Sequence, residues 1–426
     1  PVCFVQTPSG GTIRGVFEDE DDGEPKAPPS ADPLNPEAVR TFIRLTHERY
    51  AEAVGEYFGK TILGMFTDEP SILGRCSKPG LIAWTDGLYE EFLRAGGSAV
   101  GLAALFDETD TDANRAVRLA YRHVIHERML RCYYRPLADW CEAHGLAFLG
   151  HPESSMGIGH LSVFHIPCQD IVWRYLYPGE PSMTEGDHST MGKCASDSAR
   201  HHGRRRNGNE CFGVCGHRDD PYRFDRDDMK WYIDWLFARG ANLLVPHAFY
   251  YSLRGKRRDE RPPEVGMHAS FWGEYRVLAD YAKRLCFLNT DAVNRTDVAI
   301  LCSEQKLSWQ AAKPLFENQI EFNYLEESLL PECRLADGAL RLAAQDYRVV
   351  IVPETTRAET EAFLATFAKG GIRIIRFTEG MDLPALLSDT RAAEIRVAGD
   401  RTFLRMTRQR KDGTEYPAWI TITTVR

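Results

Sequence analysis

Thr61-Ile-Leu-Gly-Met-Phe-Thr-Asp-Glu-Pro70 is an apolar run that stops abruptly in polar residues, and the same grammar recurs along the chain. The run is short for a helix and suits a parallel strand buried on both faces. Before it, Asn35-Pro36-Glu37 reads as a helix N-cap, a proline at the first helical position and a carboxylate in the first turn. Phe42, Ile43, Leu45 and Tyr50 carry that helix at helical spacing toward a stop near Gly59. After the run, a helical stretch over about 115–144 directs Leu119, Val124, Leu130 and Leu137 to a core, and Gly145 ends it. Leu146-Ala-Phe-Leu149 is then the next strand, closing in Gly150-His151-Pro152-Glu153.

Downstream the signals weaken. A strand is expected around 164–166 or 171–173, a helix over 190–201, and then a run ending at Asn209-Glu210-Cys211-Phe212-Gly213 with poor strand propensity. Asp228 reads as the cap of a helix over 229–239, and Asn242-Leu-Leu-Val245 as the strand after it. That strand ends in Pro246-His247-Ala248-Phe249-Tyr250-Tyr251, and a helix over 271–288 closes the region. The alternation implies an α/β fold of parallel strands joined by crossover helices. Each strand ends in His, Asp, Glu or aromatic residues, which fits a (β/α)8 TIM barrel, where all strand ends meet at one mouth. Four or five such units fall between residues 60 and 290, against the eight a barrel needs. The N-terminal strands are therefore expected upstream of Pro1. The acidic run 17–23 and the prolines at 25, 28, 29 and 33 are loop composition. No signal peptide is visible, so the expectation is a cytoplasmic protein of which this is the rear part.

From Asp297 the texture changes. Val298-Ala-Ile-Leu301, Tyr347-Arg-Val-Val-Ile-Val352, a helix over 359–369 and Ile372-Arg-Ile-Ile375 read as a small flavodoxin-like α/β domain. Residues 402–424, around Lys411-Asp412-Gly413, read as a hairpin with an Asp-Gly turn. The expected domains are thus 1–294, a partial catalytic barrel, and 295–426, an architectural module. No Gly-x-Gly-x-x-Gly follows its first strand, which argues against a dinucleotide site.

Of 426 residues, 43% are hydrophobic and 27% charged, the balance of a globular protein with a core. Asp and Glu outnumber Lys and Arg by 61 to 52, for a net charge of −9, which argues against a nucleic-acid partner. No run reaches the roughly 20 apolar residues of a membrane span. Eleven scattered cysteines without a Cys-x-x-Cys pair suit reduced thiols rather than a zinc ribbon. A homo-oligomer is compatible with all of this.

Glu69 and Glu210 are the first-choice catalytic pair, since each closes a candidate strand within a short polar motif. Two carboxyls can divide the work at a glycosidic bond: one protonates the leaving oxygen, the other activates water or attacks the anomeric carbon. The plainer alternative is that Asp68 or Glu69 caps the next helix or pairs with an arginine. Asp68, His151, Glu153, Asp170, His247, Tyr250 and Tyr251 are the expected contacts for sugar hydroxyls, and Trp173, Trp84 and Trp272 are candidates to stack on sugar rings. Mouth carboxylates could hold calcium, which prefers oxygen ligands. A zinc site on His151, Asp170 and His247 is an alternative, as is a carbohydrate-binding barrel without turnover.

Leu34-Asn-Pro-Glu-Ala-Val39, Gly64-Met-Phe-Thr-Asp-Glu-Pro70, Gly150-His-Pro-Glu153, Asn209-Glu-Cys-Phe-Gly213 and Gly240-Ala-Asn-Leu-Leu-Val-Pro-His-Ala-Phe-Tyr-Tyr251 occur in this order. Together they resemble the α-L-rhamnosidase-like glycoside hydrolases (family 106-like), distant relatives of the barrel β-galactosidases. The resemblance covers roughly residues 1–300. It implies a barrel enzyme acting on a carbohydrate or glycoside, with Glu69 as general acid after the fourth strand and Glu210 as its partner after the seventh. It also implies an inverting mechanism and a calcium ion that contacts sugar hydroxyls. Asp68 stands where many barrel relatives carry asparagine before the acid, which counts against a retaining mechanism; a β-galactosidase-like retaining hydrolase using the same pair is the alternative.

Overall fold

The computed structural model describes residues 3–13, 27–107, 109–170, 176–250, 252–254, 261–357 and 359–390, and the backbone of 395–398, 401–409 and 415–422. The chain forms two compact units. One comprises Pro1–Glu153, Val163–His165 and Ser252–Glu260; the other comprises Ser154–Ser162, Ile166–Tyr251 and Arg261–Arg426.

In the first unit, α1 (Pro36–Leu45) begins where the sequence places it, with the Asn35 side chain accepting the Glu37 N–H. The expected single helix breaks at Thr46 into α1 and α2 (His47–Val54). Phe42, Leu45 and Tyr50 are largely exposed, so this apolar stripe does not supply the core; Val39 and His47 do. The strands β1 (Gly64–Thr67) and β2 (Ala147–Gly150) pair in parallel, Gly64 opposite Ala147 and Thr67 opposite Gly150. Between them lie α3 (Leu88–Arg94), α4 (Asp112–Arg128), a π-helical turn Met129–Tyr134 and α5 (Arg135–Ala143). Val124 and Leu137 are buried as expected, whereas Leu119 is exposed.

In the second unit, β3 (Ile166–Asp170), β4 (Gly208–Cys211) and β5 (Leu243–Pro246) are parallel neighbours in chain order. α6 (His188–His201) and α7 (Arg226–Ala238) connect them, and α8 (Tyr275–Asn289) follows β5. The cap of α7 is Asp225, which accepts the Asp227 and Asp228 N–H groups; Asp228 is its partner in a capping box, not the cap itself. Met229, Tyr232, Ile233 and Leu236 of α7 pack against Cys211, Phe212 and Leu285. A second parallel sheet follows, built from β6 (Val298–Cys302), β7 (Asn323–Glu326), a short antiparallel excursion β8 (Arg334–Ala336), β9 (Ala339–Leu342) and β10 (Gln345–Tyr347), then β11 (Val349–Val352) and β12 (Arg373–Arg376). Its order is β12-β11-β6-β7, with α9 (Trp309–Glu317) after β6 and α10 (Thr360–Lys369) after β11. Beyond a short α11 (Leu383–Leu386), β13 (Ile395–Ala398), β14 (Arg401–Gln409) and β15 (Glu415–Ile422) form an antiparallel sheet. The expected hairpin strands pair there, Gln409 opposite Glu415, and the Asp-Gly turn lies outside the described residues, as does the acidic run 17–23.

Buried histidines make this unit acid-sensitive. Burial depresses His201 to about 3 and His202 to about 4. An unfolded chain takes up these protons near pH 6.5, the folded one only far below, so protons favour unfolding in between. Stability is therefore expected to be flat above about pH 7 and to fall as the pH drops from about 6.5 toward 4. His201 Nε2 lies 2.7 Å from the Tyr347 hydroxyl. Substitution His201→Gln keeps a polar partner there and removes the proton uptake. Urea midpoints measured from pH 7 to 4.5 should decline less steeply in that variant; an unchanged slope would show that other groups set the acid limit.

Candidate functional site

At the carboxyl ends of β1 and β2, register places the turns Asp68-Glu69 and His151-Pro152-Glu153 side by side. Gly150 is required for this approach: its φ is 125°, and a Cβ there would meet the Thr67 carbonyl oxygen at 2.0 Å. The His151 N–H extends the ladder to the Thr67 oxygen at 2.8 Å. Its Nδ1 lies 3.4 Å from Asp68 Oδ1, and its buried ring meets Phe66 edge-on at 5.0 Å. Glu69 sits at φ 40°, a backbone region costly for a side-chain-bearing residue, by about 1–3 kcal/mol. The next helix, α3, has Gly87 as its cap, so neither Asp68 nor Glu69 is spent on capping it. The other structural alternative does apply in part: Glu69 pairs with Arg75 at 3.9 Å.

Two neighbouring tyrosines hold these strand ends. Tyr133 Oη lies 3.1 Å from Thr67 Oγ1, and the Glu153 N–H donates to Tyr134 Oη at 2.8 Å. Both belong to the π-helical turn, which shifts the register of the following side chains and is a frequent feature of functional sites. Residue types in this stretch carry no signal that separates a π turn from ordinary helix. The Glu153 side chain reaches the surface, yet desolvation by the surrounding protein still raises its carboxyl pKa.

In the second unit Asp170, Glu210 and Val245 stand opposite one another on β3, β4 and β5. The Gln169 amide donates to the Cys194 thiol of α6, and Cys211 packs into the α7 core. Side chains alternate along a strand, so Asp170 and Glu210 share the sheet face turned away from those helices. The Asn209 to Cys211 segment is a strand despite its poor propensity, because both flanking strands supply its ladder. The loop after Glu210 is strained, with Phe212 at φ 78° and the β-branched Val214 at φ 57°. The His247 N–H donates to the Cys211 carbonyl at 2.8 Å, which brings His247 beside the end of β4. Tyr250 is half-buried in the loop after β5; Tyr251 and Trp173 lie outside the described residues.

Sequence reasoning missed two groups here. Phe249, Trp272 and Tyr275 form an aromatic cluster with centroids 5.2–5.7 Å apart, and the first two are about half exposed, 51% and 41%. Trp272 was anticipated as a stacking residue, its two companions were not. Next to Phe249 is Glu264, a buried carboxylate that accepts the Gly266 N–H at 2.8 Å. It follows two prolines in a loop without periodicity, so nothing in the local pattern marks it. Trp84, in the first unit, lies 6.3 Å from Tyr89.

For a metal, the first unit brings a nitrogen and an oxygen donor together at His151 and Asp68. Imidazole is a donor that zinc favours and calcium does not; calcium would draw on Asp68, Glu69 and Glu153 oxygens instead.

No protein-family model and no curated protein sequence matches the chain. Solved structures do. A rhamnosidase from Novosphingobium sp. PP1Y superposes with a TM-score of 0.65 over 94% of this chain at 18% identity. A β-galactosidase from the psychrophilic Marinomonas ef1 gives 0.51 over 97% at 14% identity, covering 71% of that enzyme. A GH42 β-galactosidase from G. stearothermophilus gives 0.52 over 97% at 12% identity, covering 67% of that enzyme. The chain spans only 44% of the rhamnosidase. At these identities the likeness is one of fold: a glycoside-hydrolase-like α/β protein whose parallel strands correspond to part of a barrel, followed by a second parallel sheet.

Proposed function

We propose that the chain carries part of a (β/α)8-barrel glycoside hydrolase, with residues 1–294 contributing to catalysis and 295–426 forming a flavodoxin-like module. Glu69 is the general acid and Glu210 the base or nucleophile at a glycosidic bond, with an inverting α-L-rhamnosidase reaction as the first reading. What carries the proposal is the placement of carboxyls at the carboxyl ends of parallel strands, each beside strained backbone, in a glycosidase-like fold. Asp68, His151, Glu153, Asp170, His247 and Tyr250 offer donors and acceptors for sugar hydroxyls, and Phe249 with Trp272 offers an apolar face. No step of the reaction is routed through calcium, which would serve only to orient hydroxyls.

The test is hydrolysis of a panel of aryl glycosides, α-L-rhamnosides and β-D-galactosides included, by the full-length protein, with the anomer of the first-formed sugar read by NMR. Inversion of an α-L-rhamnoside supports the first reading, and retention on a β-galactoside supports the β-galactosidase-like alternative. A sugar that binds without being cleaved would leave the non-catalytic barrel as the better description.

A further inference from the structure

The strand order β12-β11-β6-β7 dictates a crevice in the second parallel sheet. From β6 the chain moves to one side, to β7, and later returns on the other side, at β11. The loops leaving β6 and β11 therefore part company at the carboxyl ends of the strands, the place where open α/β sheets bind ligands. A cavity of about 240 Å3 lies there, opening between the loops after β6, β11 and β12 and the start of α9. That volume falls short of the roughly 300–1,000 Å3 of sites for drug-sized ligands, so it suits one small ring and not a nucleotide.

The lining selects among small ligands. Phe377 contributes the aromatic surface, and its backbone is held at the end of β12, its N–H continuing the ladder to the Val352 carbonyl at 3.0 Å. Ser303 and Gln310 supply neutral donors and acceptors, and Glu379 a carboxylate acceptor. Lys306 at the rim is already neutralised by Glu354 at 3.0 Å, leaving the lining net negative through Glu379. This disfavours phosphate and carboxylate ligands. Cys302 in the wall is no nucleophile, because burial pushes its thiol far above the range in which it ionises. An aromatic face among mixed neutral donors and a carboxylate matches a ring that is apolar on its faces and hydroxylated at its edge. We propose that the crevice at the carboxyl ends of β6 and β11 is a binding site for a single neutral sugar ring, which makes the C-terminal module a sensor or holder of free monosaccharide. The proposal uses neither Glu69 nor Glu210 and holds whether or not the chain hydrolyses glycosides.

The test is calorimetric titration of the full-length protein with L-rhamnose, D-galactose, D-glucose and, separately, inorganic phosphate. Glu379→Ala and Gln310→Ala, both at accessible positions, are compared with Lys369→Ala at the exposed far end of α10, with melting curves to verify folding. Loss of a hydrogen bond to a charged group corresponds to about tenfold or more in affinity. The expected result is a binding event for at least one sugar that is weakened by that factor in Glu379→Ala and measurably in Gln310→Ala, and unchanged in Lys369→Ala. Ser303→Trp, which fills the cavity, should abolish it. Binding indifferent to all three crevice substitutions, binding of phosphate in place of sugars, or no sugar binding at tens of millimolar would overturn the proposal.

Discussion

Substituting Glu210→Gln in the full-length protein is expected to lower kcat/KM for every cleaved aryl glycoside by about 10^2–10^4-fold, independently of the leaving group. Glu210 sits mid-sheet, opposite Asp170 on one neighbour and Val245 on the other, on the face away from the α6 and α7 core. Glutamine is nearly isosteric and the strand's ladder is made by backbone, so the fold should persist and the loss should report chemistry. A residue that activates water or attacks the anomeric carbon works on the sugar side of the bond, and the quality of the leaving group cannot compensate for its absence. Glu69→Gln should behave differently. A general acid matters in proportion to the basicity of the departing oxygen, so this variant should be severely impaired on alkyl glycosides and far less on dinitrophenyl ones. Equal losses of both variants across leaving groups would remove the acid assignment from Glu69. Glu153, whose carboxyl pKa is raised by desolvation, would then be the carboxyl to substitute next. Full activity of Glu210→Gln would end its candidacy.

The strand ends that carry these groups were legible to very different degrees. β1 and β2 announce themselves because Ile62 to Phe66 and Leu146 to Leu149 are continuous apolar runs between helical periods. β4 does not: Gly208, Asn209 and Glu210 are poor strand formers, held in place by partners at Cys168 and Leu243 on the flanking strands, which no local pattern reveals. Tyr347 to Val352 reads as one strand but is two. Tyr347 pairs antiparallel with Leu340, whereas Val349 begins the parallel sheet, and the Arg348 N–H turns between them to the Asp297 carbonyl. Periodicity is the same on both sides of that switch, so it could not be read. Motif position picks out Glu69 and His151 as candidates because polar residues directly after apolar runs are conspicuous, whereas Glu210 rests on the short motif Asn209-Glu-Cys-Phe-Gly213 alone. Tyr133 and Tyr134 stand in a π turn and Glu264 in a proline-rich loop, where composition is silent.

Removal of one buried carboxylate should show how the second unit is held together. α6 is polar by composition, yet Ser189, Thr190, Lys193, Ser196, Asp197, Ser198 and His201 are all buried. It lies between the β3 strand and the second sheet, touching β3 through Cys194 and β7 through Asp197. Asp197, with no exposed surface, accepts the Tyr324 N–H at 2.8 Å and pairs with Arg200 at 2.7 Å and Lys193 at 3.6 Å. Desolvation raises its pKa despite both cations, so the charge itself is held at a cost and its hydrogen bonds matter most. Asp197→Ala strips a partner from each of three groups, and breaking a buried pair in this way costs about 3–5 kcal/mol. The lower end applies, because Lys193 keeps Glu321 at 2.9 Å and Arg200 keeps Asn323 at 3.1 Å. At about 2–4 °C per kcal/mol for a domain of this size, the melting temperature should fall by roughly 6–12 °C. Asp197→Asn retains an acceptor for the Tyr324 N–H without the buried charge and should recover at least half of that loss. If both variants melted alike, the charge and not the hydrogen bond would be the tie, and if neither shifted the transition, α6 would owe its place to packing alone.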